Sequence, residues 1–114
     1  MDETIFDKIL QQKIPAHIVH DDEDVLAFHD INAQAPTHVL VIPKKKITGF
    51  DDLEKLSNEE AGKYIKKVSH IAKNLDKGNK GYRIVFNNGR DGQQTVNYIH
   101  AHILLGRQLK WPPG

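Results

Sequence analysis

The chain has 114 residues, of which 39% are hydrophobic and 27% are charged, and this composition predicts one water-soluble globular domain over residues 1–114. Sixteen lysines and arginines against fifteen aspartates and glutamates leave a charge of +1, which gives no reason to expect nucleic acid as a partner. The sequence contains no cysteine, which excludes disulfides, a thiol nucleophile and a zinc site with thiolate ligands.

The sequence also gives no sign of a membrane partner. Its aliphatic runs, such as residues 39–42, are only a few residues long and too short to span a bilayer. The acidic start lacks the apolar stretch of a secretory signal, so we expect a cytoplasmic protein, with the nucleus as a further location. We interpret the three lysines at 44–46 as a solvated strand end rather than a nucleic-acid patch.

The first half of the chain predicts one short helix and three strands. Apolar residues between Ile5 and Leu10 recur at helical spacing and predict the helix. Apolar runs at 17–20 and 25–28 flank four acidic residues, a pattern typical of a hairpin. The β-branched run at 38–42, bounded by prolines, predicts a largely buried strand.

The second half predicts one long helix and two further strands. Ser57 with Glu60 has the form of a capping box, and an apolar stripe at spacings of three and four follows it. Residues 82–86 predict a strand, residues 87–94 a polar loop, and a last strand is expected to start near Thr95. This order of elements indicates an α+β fold with a mainly antiparallel sheet.

The last predicted strand carries the residues with the most distinctive chemistry. Side chains alternate between the two faces of a strand, so Tyr98, His100 and His102 are expected on one face. Two imidazoles at that spacing could exchange protons, attack an electrophile or, with His38, bind a metal; they could also be half-buried structural residues. The alternate positions are apolar and are expected to face the core: Ile99, Ala101, Ile103 and Leu105.

The chain resembles the histidine-triad proteins, and among them the Hint branch. The family motif alternates three histidines with apolar residues, and the Trp-Pro-Pro-Gly terminus at 111–114 is similar to Hint proteins rather than to dinucleoside polyphosphate hydrolases. The resemblance covers nearly the whole chain. It includes residues 4–9, 26–31, 34–44, 80–83, Asn87, the triad strand, 106–108 and 111–114.

The resemblance implies a fold and an activity. The family fold is a five-stranded antiparallel sheet with two helices, joined into a ten-stranded sheet in a homodimer. Hint-like enzymes bind purine nucleoside monophosphates without a metal or cofactor and hydrolyse the P–N bond of adenosine or guanosine 5'-phosphoramidates. In that branch the C-terminal tail, here with Trp111, lies across the dimer near the active site.

The resemblance also assigns catalytic roles to four residues. His100 would be the nucleophile that forms a nucleotidyl-histidine intermediate, and His102 would hold a phosphate oxygen. Thr95, which stands where Hint proteins usually carry Ser, would hydrogen-bond the leaving nitrogen or relay a proton to it. His38 matches a fourth family histidine that supports the triad.

The same resemblance implies a nucleotide site. Asp30 would accept hydrogen bonds from the ribose hydroxyls, with Ile31 beside it, and His100 and His102 would contact the phosphate. The apolar residues among those assigned to the base position could equally be ordinary residues of the hydrophobic core. The base position is lined by Ile5, Phe6, Ile9, Phe28 and His29, and the phosphate loop by Asn87, Gln93, Gln94, Thr95 and Val96.

Three departures from the family pattern bear on activity. Tyr98 replaces the first triad histidine, so a side-chain proton network between that position and His38 is expected to be lost. Gln93 replaces a loop glycine, a change expected to crowd the leaving group or remove a left-handed backbone conformation. Leu105 replaces the first residue of a Gly-Gly pair. The alternatives are therefore a nucleotide-binding module with reduced catalysis and a metal-binding His-x-His protein.

Overall fold

The computed structural model describes residues 2–114 and contains five strands and two α-helices. The strands pair in the order β1-β2-β3-β5-β4, and every neighbouring pair is antiparallel. The predicted α+β fold with a five-stranded antiparallel sheet is confirmed. The elements are α1 (Ile5–Leu10), β1 (Ile18–Asp21), β2 (Val25–His29), β3 (Thr37–Pro43), α2 (Asn58–Leu75), β4 (Arg83–Val85) and β5 (Ala101–Leu105).

Both helices begin where the sequence provides a reciprocal cap. The Thr4 side chain accepts from the backbone of Asp7, whose carboxylate accepts from the Thr4 backbone in return. Ser57 and Glu60 make the same pair of bonds at the start of α2. Each box satisfies amide donors that a helix start leaves without an intrahelical partner.

The centre of the sheet and one face of α2 form the main core. Val39 and Val41 of β3 and Ile103 of β5 are fully buried. Tyr64 of α2 packs over this sheet, and its hydroxyl donates to the Val41 carbonyl oxygen at 2.8 Å. Burial raises the pKa of Tyr64, so the phenol stays neutral. Within residues 2–114, no helix combines the length and the apolar character needed to cross a bilayer.

The last strand is shorter than the sequence pattern predicts. It begins at Ala101, not near Thr95, because the preceding segment bonds outside the ladder. The Ile99 amide donates to the Ile47 carbonyl oxygen, and the Gln94 side chain donates to the carbonyl oxygens of Thr48 and Val96. These contacts turn 94–100 into a bent connection that the alternation of residue types could not reveal. A 3-10 helix, Phe50–Lys55, is also absent from the sequence prediction.

Candidate functional site

A pocket of about 390 Å³ lies between α1, the ends of β2 and β3, and the segment that leads into β5. It brings together eleven of the residues proposed from the sequence. Five further residues line the pocket. The sequence did not predict them, because apolar and loop residues of these types belong to no recognisable motif. The proposed ones are Ile5, Phe6, Ile9, Phe28, His29, Asp30, Ile31, Thr95, Val96, His100 and His102; the additional ones are Ile14, Pro15, Ala16, Asn32 and Leu40.

Three of the five residues proposed for the phosphate loop, Asn87, Gln93 and Gln94, lie outside this lining. The Asn87 amide donates to the Gly92 carbonyl oxygen at 2.7 Å, which ties the loop to itself. The Gln94 side chain is engaged by backbone groups of the same region. Gln93 has a φ of 60°, so the left-handed conformation expected to be lost with the glycine is retained.

His100 presents one ring nitrogen to the pocket in unprotonated form. Its Nδ1–H donates to the Tyr98 carbonyl oxygen at 2.8 Å, which fixes the tautomer and leaves the Nε2 lone pair free. Phe6 of α1 packs edge-on against the ring with centroids 5.0 Å apart. Burial lowers the pKa of His100, only partly opposed by the Tyr98 carbonyl and Asp30. A neutral, oriented imidazole is the form in which histidine acts as a nucleophile.

His38 and His102 form a second, coupled pair of imidazoles. The Gln34 amide donates to Nδ1 of His38 at 3.0 Å, so the proton of neutral His38 is on Nε2. Nε2–H donates in turn to Nδ1 of His102 at 2.9 Å, which leaves the His102 proton on its own Nε2. That Nε2 is buried and has no hydrogen-bond partner among residues 2–114. The pair therefore aims an unsatisfied N–H donor at the pocket side of the triad strand.

Electrostatics keep these rings neutral near pH 7. Burial, then the neighbouring rings of His100 and His38, lowers the pKa of His102 to about 4. Burial also lowers the pKa of His38, against an opposing effect of Asp30. The neutral tautomers deduced from the hydrogen bonds therefore hold at physiological pH.

Asp30, His38 and His102 have ligand-type atoms within 4.8 Å of one another, a spacing that a metal ion can bridge. The hydrogen bonding fits a metal poorly. His38 Nε2 carries the proton that joins it to His102 Nδ1, and a metal needs an unprotonated nitrogen from each ring. The Oδ2 oxygen of Asp30 lies 3.5 Å from His38 Nε2, so it faces the same protonated nitrogen. The geometry favours a proton between the two rings over a shared cation.

Tyr98 lies on the same side as His100 but is no part of a histidine relay. Its side chain is fully buried, and its hydroxyl donates to the Pro43 carbonyl oxygen at 2.5 Å. The His38 ring bonds to His102, and within residues 2–114 no hydrogen bond joins the Tyr98 side chain to His38, in line with the expected loss of that link. Burial raises the pKa of Tyr98, which keeps the phenol protonated.

Lys46 is not the solvated residue that the sequence predicted. Its Nζ lies 2.8 Å from the Asp7 carboxylate, with the two side chains only 16% and 17% exposed, and 5.5 Å from the centre of the Tyr98 ring. Burial alone would raise the pKa of Asp7, but hydrogen bonds from Lys46 and Thr4 outweigh it and hold that pKa below its usual value. Lys46 therefore links α1, which carries Phe6, to Tyr98 in the segment that leads into β5.

Comparison with known proteins decides the family. A family model described as the HIT domain matches residues 11–109. The chain belongs to the HIT family. This confirms the resemblance to the histidine-triad superfamily that the sequence motifs indicated, and the five-stranded sheet of this HIT protein accords with it.

Individual relatives of this HIT protein align over nearly its full length. A Zea mays protein named "14 kDa zinc-binding protein" is 49% identical over 113 residues, which cover 97% of this chain and 88% of the relative. A HIT family hydrolase from Legionella pneumophila superposes with a TM-score of 0.87 at 41% identity and covers 98% of this chain and 100% of that one. A histidine triad protein from Clostridium difficile gives 0.83 at 36% identity, with 96% and 97% covered.

Proposed function

We propose that this HIT protein is a Hint-type purine nucleoside phosphoramidase, a hydrolase that cleaves the P–N bond of adenosine or guanosine 5'-phosphoramidates. One observation carries the proposal. His100 offers an Nε2 lone pair and His102 an unsatisfied Nε2–H, and both rings line one pocket with centroids 4.9 Å apart. A nucleophile beside a hydrogen-bond donor is the arrangement that phosphoryl transfer requires.

In the first step, His100 Nε2 attacks the α-phosphorus and the P–N bond breaks. The electron pair of that bond stays on the leaving nitrogen. The nitrogen takes the Thr95 hydroxyl proton, Thr95 regains a proton from solvent water, and the free amine departs. His102 Nε2–H donates to a phosphate oxygen, whose charge it stabilises as the phosphoryl group moves. The product is a nucleotidyl group bonded to His100 Nε2.

In the second step, water attacks the same phosphorus and the P–Nε2 bond breaks, which returns the neutral imidazole. The nucleoside monophosphate carries the new P–OH group, and the other proton of the water returns to solvent in place of the one that the amine took. His38 supports both steps because its proton holds His102 in the tautomer that donates.

The nucleotide occupies the 390 Å³ pocket, a size typical of small-ligand sites. Phe6 and Phe28 pack edge-on with centroids 5.5 Å apart and form the apolar wall for a purine, together with Ile31. The carboxylate of Asp30 accepts from the ribose hydroxyls. Asn87 and the backbone of residues 93–96 contact the phosphate.

The proposal includes a homodimer in the cytoplasm and the nucleus. Strand β4 is an edge of the sheet, so its outer backbone groups are available to a second copy, and pairing there would give ten strands. Arg83 of β4 donates to the Lys110 carbonyl oxygen at 2.9 Å and lies 5.9 Å from the Trp111 ring, which places the C-terminal tail beside this edge. Trp111 is 79% exposed in one chain. Light scattering on the purified protein tests the dimer.

The activity is tested with an adenosine 5'-phosphoramidate that carries a fluorogenic amine. The native protein should release the amine, and His100→Ala should abolish turnover while circular dichroism shows an intact fold. His70→Ala is the matched control, since this exposed histidine of α2 bonds to the Asn74 side chain and does not line the pocket. Normal turnover in His100→Ala would refute the mechanism.

A nucleotide-binding module without efficient catalysis is the second candidate, favoured by the buried, protonated Tyr98 in place of an imidazole. Calorimetry with AMP, beside the turnover assay, separates the two. Binding with turnover supports the enzyme, whereas binding without turnover supports the module.

A further inference from the structure

The loop proposed to contact the phosphate is held in place by the side-chain amide of Gln94. Its Nε2 donates to the carbonyl oxygens of Thr48 at 2.7 Å and Val96 at 3.0 Å. Its Oε1 accepts from the Gly89 backbone amide at 3.0 Å. One half-buried side chain therefore joins the two ends of the loop to each other and to the segment that precedes the 3-10 helix.

Asn88, in the same loop, bonds to the start of the 3-10 helix Phe50–Lys55. Its Oδ1 accepts from the Asp51 backbone amide and its Nδ2 donates to the Asp51 carboxylate, both at 3.0 Å. The N-cap residue of this helix is Gly49, which has no side chain to satisfy the free amides of the first turn. Asn88 supplies the missing acceptor from a position 37 residues away, so the helix start and the loop stabilise each other.

Gly49 lies where the two amides meet. A Cβ atom at this position would be 2.8 Å from Oδ1 of Asn88 and 3.2 Å from Oε1 of Gln94, and Cβ atoms essentially never show contacts shorter than 3.0 Å. The φ of Gly49 is −163°, which is extended backbone that any residue adopts. The position therefore needs glycine because of the space that the amides occupy, not because of its backbone conformation.

We propose that the amides of Asn88 and Gln94 form a clamp that positions the phosphate loop, and that Gly49 provides the space in which the clamp closes. The inference rests on the proposed phosphoramidase function and assigns positioning residues to its phosphate site. Hydrogen-bond donors stabilise a transition state best when they are already oriented as the charge develops. Because Gln94 bonds at residues 89 and 96, the clamp holds the segment that supplies those donors.

The test changes single groups at the clamp and measures kcat for an adenosine 5'-phosphoramidate beside the Kd of AMP. Gly49→Ala should displace the Asn88 amide, and we expect kcat to fall about tenfold while the Kd of AMP stays within about threefold of the native value. Asn88→Ala should have a similar effect. Gln94→Glu keeps the shape of the side chain but replaces the Nε2 donor by an oxygen, and kcat should fall at least as much.

Two control variants make equivalent changes elsewhere. Gly62→Ala adds the same methyl group on α2, where no atom lies within 4 Å. Asn74→Ala removes an amide that bonds to the His70 ring on the same helix. Both should leave kcat unchanged. A merely structural role of the clamp would lower the unfolding midpoint of the clamp variants without lowering kcat at temperatures well below that midpoint.

The double variant Gly49→Ala/Asn88→Ala decides whether the glycine acts through Asn88. The oxygen that the added methyl group would meet is then gone, so Gly49→Ala should lower kcat less than about twofold in the Asn88→Ala background. Amide hydrogen exchange gives a readout that needs no turnover. The Asp51 amide, which donates to Asn88, should exchange faster in both single variants and no faster in Gly62→Ala.

The outcomes separate the clamp from the proposed function. Amine release by the native protein with kcat unchanged in Gly49→Ala and Gln94→Glu, or with additive losses in the double variant, would overturn the clamp and leave the phosphoramidase function standing. No amine release by the native protein would overturn the proposed function and, with it, the positioning role.

Discussion

The Nε2–H group of His38 donates to Nδ1 of His102 at 2.9 Å, and the backbone amide of Gln34, which donates to the other nitrogen of the His38 ring, determines the direction of that bond. The backbone of one loop thus fixes which nitrogen of His102 faces the pocket as a donor.

Replacing His38 by phenylalanine removes the donor and frees His102 to adopt the other tautomer. We expect kcat for an AMP amide to fall about 10- to 100-fold with the fold retained, since loss of a residue that hydrogen-bonds a functional histidine has effects of that size. The control is His17→Gln on the exposed surface, and equal kcat in both variants would contradict the relay.

The stability of the protein should depend on pH through its buried imidazoles. His102 has a folded pKa of about 4, below the value of about 6.5 for an unfolded histidine, so the unfolded chain binds more protons between these values. The stabilisation is complete above pH 6.5 and is lost as the pH falls towards 4. We expect a decrease on the order of 2 kcal/mol in the free energy of unfolding, measured with urea at pH 7.5 and 4.5. The decrease should be smaller in His102→Gln and unaltered in His70→Gln.

The ion pair between Lys46 and Asp7 should matter more than the other lysine contacts of that segment. Lys46→Met leaves a half-buried carboxylate without its cation, and we expect a loss of about 1–2 kcal/mol in unfolding free energy. Lys45→Met breaks a pair with Glu60 whose side chains are 64% and 40% exposed, and it should cost less than about 0.5 kcal/mol. Equal losses in the two variants would show that the burial of Lys46 has no energetic effect. Because α1 carries Phe6 against His100, Lys46→Met should also raise KM.

Tyr98 should affect folding more than turnover. Tyr98→Phe leaves the buried Pro43 carbonyl oxygen without its donor, at a cost of about 1–2 kcal/mol in unfolding free energy. The main-chain carbonyl that orients His100 remains, so kcat should stay within about threefold of the native value. A stable Tyr98→Phe protein with turnover lowered a hundredfold would show that the phenol takes part in the reaction.

A bound metal should not be required for turnover. Metal analysis of the purified protein and an assay after dialysis against a chelator test the cluster of Asp30, His38 and His102. We expect unchanged kcat/KM, because the proton between the two rings occupies the position that a cation would need. Stoichiometric zinc, with activity lost on chelation and restored by Zn²⁺, would favour the metal-binding alternative.

Local patterns predicted the elements whose causes are local. The capping pair at Ser57 predicted the start of α2, the apolar spacing from Ile5 to Leu10 predicted α1, and the alternation from Ala101 to Leu105 predicted a strand in which every second side chain is buried. The same patterns failed from Thr95 to His100, where long-range bonds to Ile47 and Thr48 replace the strand ladder.

The sequence by itself determined the family, the antiparallel sheet and eleven of the residues that line the pocket, because motifs and hydrophobic periodicity can be read from the order of residues along the chain. Only the tertiary structure decided how those residues work together. His38 and His102 are 64 positions apart, and pairing of β3 with β5 is what brings their rings within one hydrogen bond. Contacts between distant segments also decide the direction of that bond, the burial that keeps the imidazoles neutral and the contact of Lys46 with Asp7, and no local pattern encodes such contacts.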